Sequence, residues 1–207
     1  MSDQKFILIT GANTGIGFAA TQSLLEHYDD VHVIMSARDS QKGQAAIQQL
    51  IDQTSSWVNR LTFLTIDVTN QSTIDTAVDQ LNQDNITLYA IVNNAGIGGP
   101  QYSQKAVVNA NVYGPKHVVD AFKDYLLAGS RIVNISSGSA PSYMANANLD
   151  HYHMLLNPDV TWENIEQCIA TFLSGNTHDS TSKLPSVYGF SKACLNAYTM
   201  MLSREHP

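Results

Sequence analysis

Apolar residues in the stretch up to Ile135 come as short continuous runs, separated by segments in which they recur at helical spacing. Phe6-Ile7-Leu8-Ile9, Val31-His32-Val33-Ile34-Met35, Leu61-Thr62-Phe63-Leu64-Thr65-Ile66, Leu88-Tyr89-Ala90-Ile91-Val92 and Arg131-Ile132-Val133-Asn134-Ile135 predict five strands. A first helix is expected after Gly17, with Ile16, Ala19, Ala20 and Leu24 near helical spacing and Asp29-Asp30 closing it. Gln44 to Gln53 predicts a second, with Ala45, Ala46, Ile47, Leu50 and Ile51 available for burial. A third is capped by Ser72, its inner face Ile74, Ala77, Val78 and Leu81. A long helical pattern then runs from Ala106 to Leu127, with a kink or restart expected at Gly114-Pro115. Continuous strand runs alternating with helices predict an α/β fold, a doubly wound parallel sheet covered on both faces, with strand order 3-2-1-4-5. Ligands of such sheets bind outside the carboxyl ends of the strands. Gly11, Asp67, Asn93 and Ser137 all fall there.

From Gly138 to Leu184 polar and turn-forming residues dominate, and we read an insertion carrying one amphipathic helix with Trp162, Ile165, Ile169 and Phe172 on one face. His151, His153 and His178 lack the carboxylate spacing of a metal site and read as solvated loop histidines. Pro185 to Glu205 predicts a last helix.

At 207 residues the chain is read as a single domain, 1–207, interrupted by that insertion at about 138–184. A net charge of −7 without a basic run argues against nucleic acid or an anionic membrane as partner. Cys168 and Cys194 are too few for a disulfide framework or zinc site and suit a reducing compartment. Met1-Ser2-Asp3-Gln4-Lys5 leads straight into the first strand, with no signal peptide and no apolar stretch of membrane-spanning length anywhere, so a cytoplasmic location is expected.

Two features carry chemistry. Thr10-Gly11-Ala12-Asn13-Thr14-Gly15-Ile16-Gly17 is a Gly-x-x-x-Gly-x-Gly turn between a buried strand and a helix. Free backbone N–H groups and the positive helix end meet there, which suits a pyrophosphate. Glycine permits the tight turn at 11, close approach of phosphate at 15, and helix-on-strand packing at 17. Tyr188 and Lys192 are four residues apart and share one helix face. A phenol titrates near 10, and a neighbouring ammonium favours its anion, which makes such a pair a tunable proton donor.

With Thr-Gly-x-x-x-Gly-Ile-Gly at 10–17, Asp67-Val68, Asn-Asn-Ala-Gly at 93–96, Asn-x-x-Gly at 111–114, Ile-Val-Asn-Ile-Ser-Ser at 132–137 and Tyr-x-x-x-Lys at 188–192, the chain resembles the short-chain dehydrogenase/reductase family. The segment Ala37-Arg38-Asp39 through Leu50 and the long insert before Tyr188 resemble its carbonyl reductase branch. The resemblance implies a Rossmann-type fold and an NADPH-dependent reductase of a carbonyl compound, a ketone or aldehyde, with Ala37 and then Arg38 standing where an NAD site wants a carboxylate on the ribose 2′-OH and where a guanidinium accepts a 2′-phosphate. Tyr188 would donate the proton and Lys192 would lower its pKa and hold the nicotinamide ribose. Ser137 would hydrogen-bond the substrate oxygen, and Asn111 would hold a water linking Lys192 to solvent. Asn13, Thr14, Gly15, Ile16, Asp67, Val68, Asn93, Ala95 and Gly96 would line the cofactor's path, with Asp67 at the adenine. Family members continue beyond this helix through a Pro-Gly turn and two further strands, whereas the sequence stops at Glu205-His206-Pro207. The C-terminal strands are therefore expected to be missing, the full-length form to be a monomer, and the chain as given to self-associate and turn over poorly. Two other readings stay open: a non-catalytic dinucleotide-binding module, and an NAD(P)-dependent alcohol dehydrogenase.

Overall fold

The computed structural model describes residues 4–175 and 186–206. In chain order the elements are β1 (Lys5–Ile9), α1 (Gly15–His27), β2 (Val31–Ala37), α2 (Ser40–Gln53), β3 (Leu61–Thr65), α3 (Gln71–Gln83), β4 (Leu88–Asn93), α4 (Gln104–Val108), α5 (Gly114–Phe122), β5 (Leu126–Asn134), α6 (Ser139–Met144), α7 (Leu149–Leu155), α8 (Trp162–Leu173) and α9 (Val187–Glu205). They group into two compact units, Met1–Gly96 with Tyr113–Ile135, and Ile97–Val112 with Ser136–Pro207.

In the first unit all strand pairings are parallel and the order is β3-β2-β1-β4-β5, as expected. Alternate residues of β1 explain its continuous apolar run. Ile7 and Ile9 join Leu25, Val33, Leu50 and Trp57 in one cluster, while Leu8 joins Ile34, Ile74, Leu81, Ile91 and Phe122 in another. Both faces are thus buried, and neither face has room for polar alternation. Gly43 lets α2 lie on β3, since a Cβ there would overlap the Phe63 ring.

Several element expectations need correcting. The inner face of α1 is Gly17, Thr21 and Leu25, whereas Ile16 is 66% exposed and Ala19 faces solvent. The buried Thr21 hydroxyl is satisfied by the Gly17 carbonyl at 2.9 Å, so a polar residue serves the inner face. α2 starts at Ser40 rather than Gln44, capped by Asp39, and Asn70 rather than Ser72 caps α3, its Oδ1 accepting from both the amide and the hydroxyl of Ser72. The long helical pattern after Ala106 is α4, a π-helical segment at Asn109–Tyr113 and then α5, which restarts at Gly114-Pro115. It ends in a 3-10 turn, Lys123–Tyr125, and Leu126 and Leu127 already belong to β5.

In the second unit the insert holds three helices among the described residues, not one, because α6 and α7 are too short to show a period. Ile165, Cys168, Ile169 and Phe172 line the buried face of α8. Phe172 stacks flat on Phe190 of α9 with centroids 4.0 Å apart, and Trp162 meets Tyr198 edge-on at 5.5 Å. His151 is not the solvated loop histidine expected. It is only 1% exposed, and its Nδ1 lies 2.8 Å from the Tyr143 hydroxyl. His153 is exposed, and His178, the insert beyond Gly175 and Pro185 lie outside the described residues. Cys168 and Cys194 are buried free thiols, and burial pushes Cys168 up to about 12. Among the described residues no helix is long and apolar enough to cross a membrane, and no group of His, Cys, Asp or Glu is arranged to hold a metal.

Candidate active site

In the first unit the chain leaves β1 at Thr10, which is buried and organises the turn. Its Oγ1 accepts the N–H groups of Asn94 and Ala95, each at 3.0 Å. Asn94 Nδ2 donates to the carbonyls of Thr10 at 2.9 Å and Gly11 at 3.0 Å. The residue that clamps the glycine turn is therefore Asn94 rather than the expected Asn93. Asn93 instead donates from Nδ2 to Asn134 Oδ1 at 2.8 Å, tying β4 to β5. The signal was present in the Asn-Asn pair at a strand end, but two adjacent residues on a strand point opposite ways.

The glycines are needed for different reasons. Gly11 has φ of +63° and a Cβ there would sit 2.9 Å from Ala95 Cα. At Gly17 a Cβ would meet Asn94 Nδ2 at 2.5 Å, Gly11 O at 2.8 Å and Ala12 Cα at 2.9 Å. Gly15, with φ of +58°, faces open space. Thr14 caps α1 without a side-chain hydrogen bond, and no acidic residue stands in the first turn. The opening of α1 therefore presents backbone amides and a positive helix end to an open cradle, with Thr14 and Ile16 exposed beside it and Asn13 half-buried. These residues fit an anionic pyrophosphate.

Ala37, the last residue of β2, is buried, and Arg38, just past it, is exposed. Asp39, the next residue in sequence, accepts the Lys42 amide at 3.0 Å, which with the Lys42 charge holds it below the usual carboxylate range. It is occupied as the cap of α2. Asp67 Oδ1 accepts both the amide and the hydroxyl of Thr69, at 2.9 and 2.7 Å, fixing the turn beyond β3, and Val68 is buried behind it. Gly96, the last residue of the Asn-Asn-Ala-Gly run, is exposed.

In the second unit Tyr188 and Lys192 lie on the first turns of α9. Lys192 Nζ sits 5.8 Å from the Tyr188 ring centroid. Lys192 is 4% exposed, and burial alone lowers its pKa from the lysine value of 10.5. Ser137 Oγ accepts the Ser139 amide at 3.1 Å, which leaves its proton pointing elsewhere. Asn111 stands in the π-helical segment, and its side chain is closed on protein: Oδ1 accepts the Ile97 amide at 2.8 Å, while Nδ2 donates to Ile97 O at 2.9 Å and Ser191 Oγ at 3.0 Å.

A family model described as short chain dehydrogenase matches residues 5–152. The chain belongs to the short-chain dehydrogenase family. Among curated relatives it is 29% identical over 237 residues to (+)-neomenthol dehydrogenase of Arabidopsis thaliana, covering 98% of this chain and 79% of that protein. It is 28% identical over 214 residues to carbonyl reductase (NADPH) 1 of Mus musculus, covering 99% and 76%. Among solved structures it is similar to menthone neomenthol reductase from Mentha piperita, with a TM-score of 0.87, 25% identity, and coverage of 99% of this chain and 86% of that one. Short-chain dehydrogenases use nicotinamide dinucleotides, and this chain is an oxidoreductase of the alcohol/carbonyl class within a carbonyl reductase-like branch.

Proposed function

We propose that this short-chain dehydrogenase is an NADPH-dependent reductase of a small ketone or aldehyde. The observation that carries the reading is the pair Tyr188 and Lys192 on α9, the lysine almost wholly buried beneath the phenol's helix face. When bound, the reduced nicotinamide supplies a hydride to the carbonyl carbon. Tyr188 gives its phenolic proton to the carbonyl oxygen, and the Ser137 hydroxyl donates a hydrogen bond that orients that oxygen. A buried ammonium favours acceptors around it, and the hydroxyls of a nicotinamide ribose are of that kind. In the first unit the α1 turn would hold the pyrophosphate, with Asp67 and Val68 beside the adenine.

NADPH over NADH is supported by Arg38, exposed just past β2, and by Asp39, whose carboxylate is engaged as a helix cap. Carbonyl reductase (NADPH) 1 carries its cofactor in its name, in keeping with this choice. The test is oxidation of NADPH with a panel of ketones and aldehydes, run beside Tyr188→Phe. Wild type should consume NADPH with at least one carbonyl, while the variant loses turnover and keeps cofactor affinity within a few-fold. Full turnover by Tyr188→Phe would place the acid elsewhere.

A further inference from the structure

Serine inside a helix usually weakens it, and a fully buried one needs a reason. Ser191 is 0% exposed, one residue before Lys192. Its hydroxyl makes two bonds, accepting from Asn111 Nδ2 at 3.0 Å and donating to the carbonyl of Tyr188 at 2.8 Å. The Asn111 amide cannot turn, because both of its ends are tied to the backbone of Ile97. With its remaining N–H aimed at Ser191, the serine must use its own proton on Tyr188. The next residue along that backbone touches the other end of Tyr188. A Cβ on Gly98 would lie 2.8 Å from Tyr188 Cδ2 and 3.3 Å from Cε2, so the main chain at Gly98 lies against the phenol ring. The tyrosine is thus referenced to one fixed amide twice, through its carbonyl and through its ring.

Such bracing answers a local need. Tyr188 is the second residue of α9, within the first turn, and the cap bond of that helix, from the Gly189 amide to Ser186 Oγ, is long at 3.3 Å. First turns fray readily, and an acid displaced by about 1 Å can cost on the order of a hundredfold in rate. We propose that Ser191 is a positioning residue that holds the Tyr188 turn of α9 to Asn111, keeping the phenol in place for proton transfer. The proposal rests on the reading of Tyr188 as the proton donor.

The test uses Ser191→Ala, Ser191→Cys and Ser191→Thr in the full chain, with 3-fluorotyrosine incorporated and the Tyr188 fluorine resonance assigned by its disappearance in Tyr188→Phe. In Ser191→Ala kcat should fall on the order of tenfold, with KM and cofactor affinity within about twofold, and the Tyr188 resonance should shift or broaden while the other tyrosines hold still. Ser191→Thr keeps the hydroxyl and should recover kcat to within about threefold. Should the alanine variant fail to fold, Ser191→Cys fills the space with a poor hydrogen-bonding group and should show the same displaced resonance. An unmoved Tyr188 resonance and unchanged kcat in the folded alanine or cysteine variant would overturn the proposal, as would a threonine variant no better than alanine. If Tyr188→Phe keeps full turnover, the reading of Tyr188 as acid fails, while the fluorine resonance still reports whether Ser191 holds that turn.

Discussion

Replacing Gly17 by alanine sets two effects of opposite sign against each other. Gly17 lies within α1, where alanine is the better helix former by at most about 1 kcal/mol. The added Cβ, however, would stand 2.5 Å from Asn94 Nδ2, 2.8 Å from Gly11 O and 2.9 Å from Ala12 Cα. Two of those atoms are backbone and cannot rotate away. Overpacking of this kind costs about 1–3 kcal/mol. Displacing Asn94 also weakens its bonds to Thr10 O and Gly11 O, each contributing about 1 kcal/mol. Gly17→Ala should therefore destabilise the protein by about 2–4 kcal/mol net and abolish dinucleotide binding, because the turn must open to admit the methyl. Gly15→Ala is the control: its Cβ meets nothing within 4 Å, and the cost is the left-handed backbone alone, about 1–2 kcal/mol. Urea denaturation of the three proteins measures the difference through the midpoints at a common m-value. A Gly17→Ala protein as stable as wild type, or less destabilised than Gly15→Ala, would refute the reasoning.

Arg38→Ala should weaken NADPH binding about 10- to 100-fold, the worth of a charge-assisted contact, and leave NADH almost untouched; fluorescence titration checks it, and an equal loss for both would remove Arg38 from the 2′-phosphate. His151 has its pKa lowered from 6.5 by burial, which outweighs the opposing charge of Asp150, and its Nε2 is buried without a hydrogen-bond partner. A lowered folded value means that the unfolded chain binds the proton first, so the contribution to stability is whole above pH 6.5 and is lost as pH falls from there through the folded value. His151→Gln should flatten the loss of stability between about pH 6.5 and 5, before most carboxylates titrate, and identical slopes for the two proteins would show that the histidine does not report that transition.

How much of this was legible in the sequence varies by element. The sheet was, because β1, β2 and β4 are largely buried on both faces and so appear as mostly apolar runs. The glycine turn and the Tyr188-Lys192 pair were, because their spacing is the geometry. The face of α1 was not, since its inner positions are Gly17 and Thr21, whose fitness is close approach rather than apolarity. His151 was missed because its helix is seven residues long and its burial depends on Phe190, distant in sequence. Asn94 and Ser191 carry no periodic signal at all. Their roles exist only once main-chain carbonyls from remote segments have been brought to them.

The flat stack of Phe172 on Phe190 changes what the insert is. Phe190 is two residues beyond Tyr188, and Tyr143 and His151 close on the same ring at 5.4 and 5.6 Å. Helices α6, α7 and α8 therefore share one aromatic cluster with α9. Amide protons of these helices should exchange through a common opening event rather than as a loose flap over a rigid base. Variation in the insert is then never local: a change that alters its packing also alters how often the helix bearing Tyr188 opens.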